Sequence, residues 1–158
     1  MIQTNKKGFT IIEVVLVLAI AGLIFLVVFL ALPALQKSQR DTQRKADLSR
    51  MMSQISSWTS NHQGLLPSSW TAASPFFTTY MLNGNETFSD PTTGTTYVPS
   101  TTAPTLGTAP AFASAIGNVN IYVGFTCSPT DASGVQTGSG RNVAVLMQLE
   151  KGFICQSN

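Results

Sequence analysis

Charged side chains are scarce in this chain, at 10% of its 158 residues. It has one histidine, His62, and two cysteines, Cys127 and Cys155. A metal site built from clustered His and Cys therefore lacks its ligands. An enzyme needs convergent His, Cys, Asp or Glu groups, a phosphate-binding glycine loop or a metal set, and none of these is visible, so no catalytic residue and no cofactor are expected. Internal repeats are also missing. The length allows one domain plus an extension and leaves no room for a second enzyme-sized domain.

Charge imbalance is small as well, with nine Lys and Arg against seven Asp and Glu. Bulk charge gives no footprint for nucleic acid. Its distribution is more informative. Lys37, Arg40, Arg44, Lys45 and Arg50 sit close together with only Asp41 and Asp47, whereas the chain after Arg50 carries Arg141 and Lys151 against Glu86, Asp90, Asp131 and Glu150. A basic collar is thus followed by a faintly acidic head. One reading of the collar is a solvated helix face; the other is a stretch lying beside anionic lipid headgroups.

What the sequence does have is a long apolar run. Residues 9–32 include one charged member, Glu13, and at about 1.5 Å per helical residue they are long enough to cross a hydrocarbon core of roughly 30 Å. As a cleaved secretory signal the run is too long, and Ala31-Leu32-Pro33-Ala34 is a poor, late cut site. A helix is expected to continue beyond it, because Leu48, Met51 or Met52, Ile55 and Trp58 recur at steps of three or four and mark a face turned to a core. Pro33 removes one backbone hydrogen bond and favours a bend. Asn61 to Gly64, followed by Pro67, reads as the stop, with Gly64 in a left-handed cap.

Residues 65–115, rich in Thr, Ser, Pro and Gly, read as loops with short strands and no helix; on an exported protein their hydroxyls are candidate sugar acceptors. Their aromatics, among them Trp70, Phe76, Phe77, Tyr80, Phe88 and Tyr97, argue against disorder. After Gly117 the period becomes two. Ile121, Val123, Phe125 and Cys127 predict one half-buried strand, and Val143, Val145, Met147 and Leu149 a second. The polar, Gly-rich stretch between them reads as a surface loop. Glu150-Lys151-Gly152 is a tight turn into a last strand ending near Cys155.

At the junction, Lys6-Lys7-Gly8-Phe9-Thr10-Ile11-Ile12-Glu13 opens directly into the apolar run. This motif resembles the class III signal of type IV pilins and of the pseudopilins of type II secretion: a short basic leader, a glycine, Phe, and Glu fifth after the cut. The resemblance implies that a membrane-embedded prepilin peptidase cuts after Gly8 and methylates the new amine of Phe9, and that Glu13 serves assembly. Physical chemistry gives Glu13 a parallel account, since a carboxylate in a membrane span costs about 2.5–3.5 kcal/mol and seeks a cation or a proton. The freed amine of Phe9, four residues away, is such a cation. Gly22 stands where similar pilins keep a glycine at which the core helix loosens. Their usual proline position is Leu30 here, and the nearest proline is Pro33. For Cys127 and Cys155, an even pair on an exported domain favours a disulfide, two buried thiols being the alternative; the resemblance extends to a bridge closing the C-terminal loop. Asp90-Pro91 to Tyr97 resembles, more weakly, a turn entering an aromatic strand in pilin-like proteins.

The expected fold class is α+β, the type IV pilin fold: a long N-terminal helix, half membrane-spanning and half amphipathic, packed on a small C-terminal antiparallel sheet. The expected organisation is leader 1–8, transmembrane or filament-core helix 9–35, amphipathic half 36–63 and head 64–158. The resemblance implies a single-pass precursor in the cytoplasmic membrane that becomes an extracellular pilus filament, a homopolymer with other pilin subunits. It further implies partners in the inner-membrane assembly platform and its ATPase, and roles in motility, adhesion or DNA uptake. In a filament the basic collar would face carboxylates of neighbouring subunits. The positive-inside count, with Lys6 and Lys7 on one side and five basic residues on the other, favours the opposite topology; the resemblance overrides it. A pseudopilin, and a monomeric single-span anchored binding protein, stay open as alternatives.

Overall fold

The structure is a computed structural model and describes residues 8–82, 87–110 and 118–158. The chain divides into two units, residues 1–38 and 39–158. One α-helix, α1 (Ile11–Asn61), contributes to both.

In the first unit, α1 starts at Ile11, two residues later than the apolar run. Thr10 holds the cap position, its carbonyl accepting the amides of Glu13 at 3.2 Å and Val14 at 3.4 Å. Glu13 falls in the first turn, where the helix dipole favours a carboxylate. The helix runs on through Pro33, although the missing proline amide leaves the Phe29 carbonyl without its helical donor. No described residue from 8 to 38 is buried.

In the second unit, α1 turns Arg44, Leu48, Met51 and Ile55 inward. It ends as expected at Asn61. Gln63 and Gly64 both adopt positive φ, 57° and 82°, and the Gly64 amide reaches back to the Thr59 carbonyl at 2.7 Å. These left-handed residues close the last turn. Among the described residues six strands follow: β1 (Val98–Ser100), β2 (Asn118–Val123), β3 (Phe125–Cys127), β4 (Val135–Thr137), β5 (Val143–Gln148) and β6 (Phe153–Ser157). The main sheet has the order β1-β2-β5-β6, and β3 pairs with β4 separately.

The α+β layout holds, with four adjustments. First, β1 runs parallel to β2, so the sheet is antiparallel-rich but mixed. Second, the run from Ile121 to Cys127 is not one strand: Gly124, at φ 84°, breaks it and sends β3 to a different partner. Third, β2 and β5 are buried on both faces. Val119, Ile121, Val143, Val145 and Met147 face the core containing the α1 stripe, while Tyr122, Ala144 and Leu146 pack with Val135, Phe125 and Phe153. Fourth, the stretch after Cys127 is not wholly a surface loop, since Ser133, Gly134 and Val135 are buried. Gly134 has φ 74°, and a Cβ there would lie 2.3 Å from the Phe153 ring. Only glycine lets this segment lie so close.

Residues 65–115 also hold a helical turn that the sequence reading excluded. Pro75 and Phe76 lead into a π-helical turn, Phe77–Met81. The Ser74 hydroxyl accepts the Phe77 amide at 3.4 Å and Pro75 takes the first position, a Ser-Pro start typical of helices. The aromatics do become core: Phe76, Phe77, Phe88 and Tyr97 are at most 1% exposed.

Candidate functional site

Gly8 and Phe9 lie before the helix and are fully in the open, Phe9 with 85% of its surface exposed. From Ile11 to Leu35 the large apolar side chains point outward without cover. The segment is long and apolar enough to cross a membrane. Isolated surface leucines need no explanation, but a continuous apolar exterior of this length requires lipid or protein around it. Among the described residues Glu13 has no ion-pair partner; the ion pairs described lie in the second unit, among Arg40, Asp41, Arg44, Asp90 and Glu150. A Cβ added at Gly22 would meet nothing within 4 Å. Nothing among the described residues therefore requires glycine at that position.

Three of the five collar cations take a different place from either sequence expectation, while Lys37 and Lys45 are exposed. Arg44, on the same stripe as Leu48, is completely buried. Its Nε donates to Asp90 Oδ2 at 2.8 Å, Nη1 to Asp41 Oδ1 at 2.9 Å and Nη2 to Thr92 Oγ1 at 2.7 Å. Asp90, 1% exposed, also accepts the amides of Thr92 at 2.8 Å and Thr93 at 3.3 Å. The Asp90-Pro91 turn is thereby fastened onto the helix. Arg40 forms an ion pair with Glu150 at 2.8 Å, and the Glu150 amide donates to Asp41 Oδ1 at 3.0 Å, tying the β5–β6 turn to the same knot. Arg50 donates to the Met81 carbonyl at 2.6 Å. Three of the five collar cations thus serve the head's own fold. The signal was present: Arg44 is four residues before Leu48, so extending the apolar stripe one turn lands on it.

These contacts set the charge states. Burial alone would lower the Arg44 pKa, but the hydrogen bond and charge of Asp90, then those of Asp41, raise it. For Asp90, burial pushes upward and is outweighed by Arg44 and the Thr92 amide, so its carboxyl titrates below the usual range. Asp47 moves the other way: burial raises it, only partly offset by the Tyr97 hydroxyl that donates to it at 2.9 Å and by the charge of Arg50.

Cys127 and Cys155 are bonded, their Cα atoms 5.8 Å apart, joining β3 to β6. No group of three His, Cys, Asp or Glu able to hold a metal occurs among the described residues.

Residues 3–29 match the prokaryotic N-terminal methylation motif. No curated protein and no solved structure matches the chain.

Proposed function

We propose that this chain, which carries the class III signal of type IV pilins and pseudopilins, is a filament subunit that works by polymerising through its N-terminal helix. The motif supports a pilin or pseudopilin, a structural and not an enzymatic family, and with the apolar helix it indicates a membrane-anchored precursor. On this reading prepilin peptidase removes residues 1–8 and methylates Phe9. An ATP-driven inner-membrane platform then moves the subunit from the bilayer into an extracellular pilus. The supporting observation is that the matched motif runs straight into an uncovered apolar helix.

In the bilayer that helix is covered by lipid; in a filament, by copies of itself. Glu13 meets the new amine of a neighbouring Phe9 there, and the open space at Gly22 and the donor-free Phe29 carbonyl before Pro33 mark where the packed helix yields.

The test is the mature N-terminus by mass spectrometry together with a Glu13→Ala variant. The expected products are a chain beginning at methylated Phe9 and a variant that is inserted and cut but absent from sheared surface filaments. An intact Met1 beside active peptidase would instead make the helix a plain anchor. Abundance in sheared filaments separates a pilin from a pseudopilin.

A further inference from the structure

The sequence contains a single Asp-Pro bond, Asp90–Pro91. In acid such a bond is unusually weak, because the aspartate's own carboxylate can reach the carbonyl carbon and the proline nitrogen leaves readily once protonated. Proline has no N–H, so the competing attack of the next backbone nitrogen on the side-chain carboxyl is closed. An intramolecular nucleophile of this kind needs no collision, only the freedom to turn.

Around this bond the fold supplies one part of a cleavage site and withholds another. The Asp90 carbonyl oxygen accepts the Gly94 amide at 2.8 Å, and an amide placed there stabilises the oxyanion that attack on the carbonyl carbon creates. The carboxylate, by contrast, is fully engaged. Its Oδ2 accepts Arg44 Nε at 2.8 Å, and Oδ1 accepts Arg44 Nη2 at 3.3 Å and the amides of Thr92 at 2.8 Å and Thr93 at 3.3 Å. Asp41 and Glu150 face the pair from the far side of Arg44, at 2.9 and 3.6 Å from Nη1, and Asp47 and Tyr97 act on it from α1 and the core. Asp90 titrates below the usual range, so in mild acid it is still ionised: its charge suits it to attack, and only its partners hold it back. Pro91 is half-buried and Thr92 exposed, so the bond itself lies near water.

We propose that Asp90–Pro91 is a latent self-scission site, silenced by the Arg44 clamp and opened when the head loses that clamp in acid. A freed Asp90 carboxylate oxygen attacks the Asp90 carbonyl carbon, and a C–O bond forms. The C–N bond to Pro91 breaks, its electron pair staying on the nitrogen, which takes a proton from hydronium. The products are a cyclic anhydride at Asp90 and a chain beginning with the secondary amine of Pro91; water, the co-reactant, then opens the anhydride to two carboxyls. Both cysteines lie beyond the cut, so the disulfide does not tether the pieces. One piece keeps α1 and the other all six described strands, which makes Arg44 the guard of the covalent link between helix and sheet. The site lies wholly in the second unit and does not depend on how the N-terminal segment is used.

The experiment holds the full chain in detergent at the lowest pH at which circular dichroism still shows the head folded, with and without urea, and follows intact mass over time. The expected result in urea is a pair of fragments meeting at Asp90 and Pro91. Without urea, scission should be slower by roughly a hundredfold or more, the population penalty of drawing one partner out of a buried pair. Arg44→Lys keeps the charge but not the two-point grip, and as a folded head it should be cut faster than the wild type without urea. If it fails to fold, Thr92→Val, which loosens Arg44 Nη2 without touching a charge, carries the same expectation. Asp90→Asn, lacking the carboxylate, should stay whole in urea. Equal wild-type rates with and without urea overturn the proposal, as does an unfolded chain that stays whole or breaks first elsewhere. So does a folded Arg44→Lys or Thr92→Val head as resistant as the wild type.

Discussion

Arg44 occupies a place on the helix stripe where an aliphatic side chain would ordinarily sit, and its charge is tolerated because Asp90, Asp41 and Thr92 surround it. A buried pair of this kind adds little over a well-packed apolar pair, but leaving one partner alone is costly. Asp90→Asn or Arg44→Met should therefore destabilise the head by about 3–5 kcal/mol in urea unfolding, while replacing both with apolar residues should recover much of the loss. The acid limb carries a second signature. Asp90 titrates lower folded than unfolded, so its stabilisation is present above the ordinary aspartate value of 3.8 and is lost as pH falls through its lower folded value. Asp47 is raised by burial, so its contribution has the opposite sign and fades as pH climbs from 3.8 through its higher folded value. Melting curves of Asp47→Asn against pH should be flatter just above 3.8, and those of Asp90→Asn flatter below it. At this scale the apolar stripe was legible from spacing alone and its extension by one turn pointed to Arg44, but what lets a cation be buried there was not legible. Periodicity counts apolar residues, and the carboxylate that makes Arg44 buriable lies 46 residues away in sequence.

Elements show the same division between local and distant causes. The end of α1 was legible because Gly64 and its neighbours act within one turn. The β5–β6 hairpin was also legible; its turn closes with the Leu149 amide on the Gly152 carbonyl at 3.0 Å. Alternation in β2 and β5 predicted one buried face, and the second became buried because β3, β4 and Phe153 cover it, which no local pattern records. The turn at 75–81 escaped because its Thr content resembles loop, although Ser74-Pro75 announced it. The disulfide belongs to this scale, joining β3 to β6 across 28 residues. Replacing Cys127 and Cys155 with Ser should cost about 3–4 kcal/mol, the usual worth of closing such a loop. Thermal unfolding with and without reductant checks this, and the double variant should be insensitive to reductant.

For the whole chain, every buried residue described lies from Arg44 onward, and none lies in residues 8–38. A chain beginning at residue 39 should therefore be soluble without detergent and melt as cooperatively as the full-length protein, which calorimetry of the two would compare. The candidate assembly segment was the most legible part of the sequence, because a membrane span and its one acidic residue are written in a single uninterrupted run. What would cut it and what would surround it are properties of partners, so composition and spacing could not supply them.

Asp41, Asp47, Asp90, Asp131 and Glu150 all accept hydrogen bonds from within their own head. Were the proposed filament to form, these described carboxylates would already be engaged within their own subunit, and Glu13, the one acid of the apolar segment, would be shielded from dissolved ions. Concentrated brine should accordingly do little to loosen such a fibre, where a mild surfactant would take it apart.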